Sequence, residues 1–238
     1  MFTRTWKLVA RLAAVVTLTL MGLSIAPLPT ARAATITVCA TGCTFTTIQA
    51  AIDDAGTNPG DTIDITDAVH TELGITVDKD LTIQGQGQVT TTVQAAATRG
   101  VAADRVFTIT VGSTVTITHM TIRHGYVDGY GGGILNEGTL TLEDVAVVDN
   151  VATGDGHGGG GIYNSGGDVT LIGCAVSDNE GPHDGGGIKN ANGALTLTDC
   201  SLSGNKAGLG GGAIYNGSTG TIVLTSSTVN GNESSANG

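Results

Sequence analysis

One phrase written four times constrains this chain more than any other feature. It reads GGGILN at residues 131–136, GGGIYN at 159–164, GGGIKN at 185–190 and GGAIYN at 211–216. Each copy is answered by a second phrase: LTLEDVAVVDN, VTLIGCAVSDN, LTLTDCSLSGN and IVLTSSTVNGN, closing at Asn150, Asn179, Asn205 and Asn232. Spacing inside the answers never changes, whereas the gap between the phrases drifts by a residue or two. Insertions thus fall between fixed blocks, as they do when a supersecondary unit is repeated and only its turns vary.

Within a block the apolar residues alternate at period two, the mark of a strand with one buried face. Leu140 and Leu142, Val169 and Leu171, Leu195 and Leu197, and Ile222 and Leu224 form the first run. After a two-residue interruption a second short run follows. The repeated isoleucines Ile134, Ile162, Ile188 and Ile214 open a third, at intervals of 28, 26 and 26 residues. Three short strands and three turns fill such an interval. The fold class that follows is all-β: a single-stranded parallel β-helix, a solenoid of about six rungs counted from Ile63 and about 30 Å long at the inter-strand spacing.

In such a solenoid equivalent residues stack on themselves. The four isoleucines make an apolar column. Asn136, Asn164, Asn190 and Asn216 make one polar column, and Asn150, Asn179, Asn205 and Asn232 another, able to pass amide hydrogen bonds from rung to rung. These residues are expected to be structural. Outward threonines (Thr82, Thr116, Thr141, Thr170, Thr196) form a further array on a solvated strand face, where threonine is a good strand former.

These phrases carry a resemblance. The chain resembles the pectin-lyase-like superfamily of right-handed parallel β-helices. Its GGAI phrase at 211–214 and its V/L-x-x-N endings are similar to the paired GGA(I/L/V) and FxxN repeats of polymorphic outer-membrane adhesins. The match covers about half the chain. It implies a right-handed helix and cell-surface work, either adhesion or the handling of polysaccharide.

The N-terminus reads as a secretory signal over residues 1–33: Arg4, Lys7 and Arg11, then an apolar stretch, then a small-x-small site ending at Ala33. The β-helix domain is expected over residues 34–238, in a secreted, extracellular or cell-surface setting. Removing the signal leaves six basic against 21 acidic residues, a net of −15. That charge repels nucleic acid and polyanions. Residues 44–56 predict a short N-terminal capping helix with Ile48, Ala51, Ile52 and Ala55 on one face. Residues 86–106 break the rhythm and predict a surface excursion. The ending around Asn232 shows no second cap, so either the gene product is truncated or the open last rung docks on something, end-to-end self-association included.

Four cysteines are present. Cys39 and Cys43 are expected to close a small loop. Cys174 and Cys200 occupy equivalent positions in adjacent rungs, facing inward, where either a bridge or two buried thiols fit.

The polar cluster best placed for chemistry precedes the glycine phrases: Arg123, His124 and Asp128, then Asp155 and His157, then His183 and Asp184. His157 and His183 share an offset from their isoleucines and are expected as rung neighbours. Asp128, Asp155, His157 and Asp184 are the catalytic candidates, because carboxylates beside imidazoles perform acid–base work. No metal site and no cofactor is expected, with calcium relevant only to a catalytic reading. The reading favoured by the sequence is a non-catalytic surface protein, adhesin-like or envelope-structural, contacting a cell-surface glycan or protein ligand. The alternative is a carbohydrate-active lyase or glycoside hydrolase using the loop side.

Overall fold

The computed structural model describes residues 32–235; the expected signal segment lies outside the described residues except for its last two. The chain winds as a parallel β-solenoid of about seven turns. Every strand pair among the described residues is parallel, and from Phe107 onward each turn contributes to three sheets. The longest holds strands Thr35–Val38, Thr62–Ile65, Leu81–Gln84, Thr114–Arg123, Thr139–Val148, Val169–Ile172, Ala194–Thr198 and Thr221–Thr225 in that spatial order. A six-stranded sheet runs from Ile75–Val77 to Ile214–Asn216, and a five-stranded sheet from Tyr126–Asp128 to Glu233–Ser234.

Register pairs like with like. Ile134 opposes Ile162, Ile162 opposes Ile188, and Ile188 opposes Ile214. Phe107 and Ile75 extend the column through earlier turns. Leu140, Val169, Leu195 and Ile222 form a second column. The core is thus a narrow aliphatic stack in which Ile134, Ile162 and Ile188 are wholly buried.

Both asparagine columns are hydrogen-bonded ladders. Asn136 Nδ2 donates to Asn164 Oδ1 at 2.9 Å, Asn164 to Asn190 at 2.8 Å, and Asn190 to Asn216 at 2.7 Å. In the second ladder Asn150, Asn179 and Asn205 donate to the next Oδ1 at 3.1, 3.0 and 2.8 Å. That same oxygen also accepts the backbone amide of the preceding asparagine. Pairing the buried amides this way lets a polar residue sit inside the stack at little unpaired cost, the Oδ1 of Asn136 at the start of its ladder excepted.

The turns explain the repeated glycines and aspartates. The first glycine of each phrase, Gly131, Gly159, Gly185 and Gly211, is left-handed, with φ between 59° and 68°. At the second, a Cβ on Gly132 would stand 2.5 Å from the Gly160 carbonyl oxygen of the next turn. The residue before each second-ladder asparagine is also left-handed: Asp149, Asp178, Gly204 and Gly231. Aspartate and glycine tolerate that conformation best.

Three expectations need correction. The count of six rungs omitted Thr35–Val38, which pairs with Thr62–Ile65 and lengthens the stack. The excursion at 86–106 is partly inside the stack: Thr92–Gln94 pairs with both Val69–Thr71 and the end of Thr114–Arg123, and Val93 is buried. Too few residues pair there to display a period. The helix spans Ile48–Asp53, N-capped by Thr47, whose hydroxyl accepts from the Ala50 amide. Ile48, Ala51 and Ile52 are buried, but Ala55 lies beyond the helix end and is exposed.

Cys39 and Cys43 are bridged. Cys174 and Cys200 are free and buried. Each thiol donates to backbone carbonyls, Cys174 Sγ to those of Leu142 and Ile172 and Cys200 Sγ to those of Leu171 and Thr198, and burial pushes the Cys174 thiol up.

Candidate functional site

The position after each repeated isoleucine faces outward from the six-stranded sheet. Reading along the stack it is Thr76, Thr108, Leu135, Tyr163, Lys189 and Tyr215. Tyr130, from the loop leading into Gly131, folds over this column. Its ring stacks on Tyr163 with centroids 4.3 Å apart and planes at 23°. The His157 ring meets Tyr130 edge-on at 4.5 Å. Lys189 Nζ lies 5.3 Å from the Tyr130 ring centre and 5.7 Å from that of Tyr215, so its charge is shared between two π faces. Burial, aided by the neighbouring Tyr130, raises the Tyr163 phenol above its ordinary value.

Charged groups around the rings are engaged with one another. Asp184 Oδ2 accepts from His183 Nδ1 at 2.9 Å and stands 3.7 Å from Lys189 Nζ, while its Oδ1 accepts the Gly210 amide at 3.2 Å. Arg105 donates to the carbonyls of Tyr130 at 3.1 Å and Gly131 at 3.4 Å, fixing the loop that carries the Tyr130 ring. His157 Nδ1 points at the Thr153 carbonyl at 2.9 Å. A carbonyl only accepts, so this nitrogen carries the proton and Nε2 is left as an acceptor.

Of the four catalytic candidates, the structure brings Asp128 and His157 within 3.9 Å, too long for a hydrogen bond, with Asp128 85 % exposed. Asp184 is held by its three neighbours. Asp155 is exposed and has no partner among the described residues. The glycines following His157 and His183 are rung neighbours, Gly159 N donating to the Gly185 carbonyl at 2.7 Å. Arg123 and His124 do not join: Arg123 donates to Gln94 Oε1 and His124 contacts the Ala96 carbonyl, both on the segment that was expected to be an excursion. Among the described residues, no group of three or more His, Cys, Asp or Glu is placed to hold a metal ion.

Sequence reasoning missed the aromatic part of this site. The signal was present as the most variable position of the phrase GG(G/A)IxN, and three of the four tyrosines of the chain fall at that position or at the turn that covers it. It also missed a cleft of about 250 Å³ lined by Arg99, Asp149, Asp178, Glu180, Gly204 and Lys206. There Arg99 Nη2 donates to Glu180 at 2.8 Å across 81 residues of sequence, a pairing no local pattern reveals. Compared with known protein families, curated proteins and solved structures, the chain matches none.

Proposed function

We propose that this chain is a secreted or cell-surface protein that works without catalysis, adhesin-like or envelope-structural, by presenting a rigid outer surface to a glycan or protein ligand. Its repeated residues are consumed by stacking inside the solenoid, and its distinctive side chains gather on one outer face. The observation that carries the reading is the ring of Tyr130 stacked on Tyr163, with Lys189 set between the rings of Tyr130 and Tyr215. Rigid half-exposed tyrosines give large contact area at low entropic cost. The likeness of the glycine and V/L-x-x-N phrases to pectin-lyase-like proteins and outer-membrane adhesins supports the same setting.

A second reading, a carbohydrate-active lyase or hydrolase, draws on the closeness of Asp128 to His157 and of Asp184 to His183. One experiment separates them: incubation with neutral and uronic-acid polysaccharides, with and without calcium, scored for both retention and chain cleavage. Retention with no new chain ends is expected. Cleavage that disappears in Asp184→Ala or Asp155→Ala would establish the enzyme instead.

A further inference from the structure

The free hydrogen-bonding groups around the tyrosines define what they can hold. Every cation at the site is already engaged. Lys189 is shared by Asp184, the Gly156 carbonyl and two rings, and its side chain is only 12 % exposed. Arg105 is spent on backbone carbonyls and the Thr108 hydroxyl. What remains open is a set of acceptors. With Nδ1 of His157 on a carbonyl and Nδ1 of His183 on a carboxylate, the Nε2 atoms of both rings have no hydrogen-bond partner among the described residues. The Asp128 carboxylate is largely exposed. The phenol groups of Tyr130 and Tyr215 likewise make no hydrogen bond among the described residues, so each offers a donor and an acceptor.

Aromatic rings ringed by acceptors, with no free cation, match a ligand that has apolar C–H faces and many hydroxyl donors and bears no negative charge. Carboxylates or sulfates would meet Asp128 and Asp155 and the −15 net charge of the exported chain without a cation to receive them. Tyr163 and Tyr215 stand two rungs apart, about 9.6 Å along the stack, comparable with the length of two linked pyranose rings. We infer that the Tyr130–Tyr163–Tyr215 face binds an uncharged pyranose polysaccharide lying along the solenoid axis. This rests on the surface-presentation reading and names its ligand class.

The test is binding of the full chain to a neutral β-glucan, a mannan and a xylan, against polygalacturonate and a polycationic glycan, at low and high salt. At least one neutral polymer should bind, with affinity nearly independent of salt and rising from disaccharide to tetrasaccharide. Tyr215→Ala should weaken that binding about tenfold, and Asp128→Ala several-fold. Glu143→Ala, on the long sheet, should leave it unchanged, with thermal midpoints checking that each variant is folded. Salt-sensitive binding of the polyuronide or polycation alone would overturn the inference while leaving non-catalytic presentation intact, as would binding unaffected by both Tyr215→Ala and Asp128→Ala. Retention of no polysaccharide also overturns it. Chain cleavage would instead overturn the reading on which it rests.

Discussion

At the residue scale, stability depends on amide ladders whose members are not equivalent. Asn164 donates to Asn190 Oδ1 and to the carbonyls of Gly167 and Asn192, and accepts from Asn136. Asn164→Ala therefore strands the buried Asn190 oxygen and several carbonyl partners, and should cost about 3–5 kcal/mol. Asn136 begins its ladder under Ile109, and its own Oδ1 is buried with no partner among the described residues. Asn136→Ala strands the Asn164 oxygen in turn but removes the unsatisfied atom and breaks fewer bonds, so its cost should be about half as large. Urea denaturation of the two variants decides the order; equal losses would contradict the ladder account. The asparagine columns were legible beforehand because a residue repeated at fixed offsets in a parallel stack must meet itself. The orphaned oxygen was not, since it depends on Ile109, which lies before the first clear repeat.

At the glycine turns the same logic runs through the backbone. A Cβ at Gly160 would stand 2.3 Å from the Glu180 carbonyl oxygen, an atom of the neighbouring turn that cannot swing aside. Gly160→Ala should lower the unfolding midpoint markedly, by about 2 kcal/mol or more, whereas Gly166→Ala, whose Cβ would meet nothing within 4 Å, should be mild.

At the scale of elements, the first turns are joined by a buried histidine. His70 takes the column position held further along by Val93, Ile122 and Val147, and is 5 % exposed. Its Nε2 lies 2.9 Å from Glu72 and its Nδ1 3.2 Å from Asp67. Carboxylates only accept, so both nitrogens are protonated and the ring is a cation. Glu72 also accepts the amides of Ile48 and Gln49 at the start of the helix, and Asp67 accepts the Ala40 amide beside the disulfide. Strand Thr92–Gln94, packed alongside, presents Gln94, which is held by Arg123. The hydrogen bond to Glu72 raises His70 above its ordinary 6.5, with burial opposing. Burial pushes Glu72 up, but His70 and the two amides outweigh it, and Glu72 falls below its ordinary 4.5.

A raised histidine contributes fully below 6.5 and loses its contribution as pH climbs through the raised value; a lowered glutamate contributes above 4.5 and loses it as pH falls through the lowered value. The stability of this end should therefore be greatest between about pH 4.5 and 6.5 and decline toward alkaline pH. Thermal midpoints across pH 4–9 test it. His70→Gln should be less stable at pH 6 and should flatten the alkaline decline; a wild-type midpoint still rising at pH 9 would contradict the assignment. Nothing in the sequence announced this cluster, because Val69–Thr71 is too short to show a period and a histidine in an apolar column looks like a break in it.

For the whole molecule, the repeats made the parallel stack legible from residue 131 onward, and alternation alone carried it back to Ile63. Thr35–Val38 and Thr92–Gln94 escaped because each is a single short strand recognisable only through its partner. The outer surface was the least legible part: Tyr130 and His157 meet across turns and Arg99 reaches Glu180 across 81 residues, and neither pairing leaves a local pattern. Burial and strand alternation act on near neighbours and on fixed offsets. Contacts made by loops of drifting length do not.

The threonines that pair from turn to turn on the long sheet offer a ruler for the stack. Thr82 opposes Thr116, which opposes Thr141, then Thr170, Thr196 and Val223. Nitroxide labels at residue 82 paired with 170, 196 or 223, with Cys174 and Cys200 replaced by valine, can be measured by pulsed electron spin resonance. Successive rungs predict distances near 14, 19 and 24 Å, growing by about 4.8 Å per turn although some 26 residues of chain are added each time. Distances that fail to climb by one strand spacing per turn would contradict the self-stacked solenoid on which the account rests.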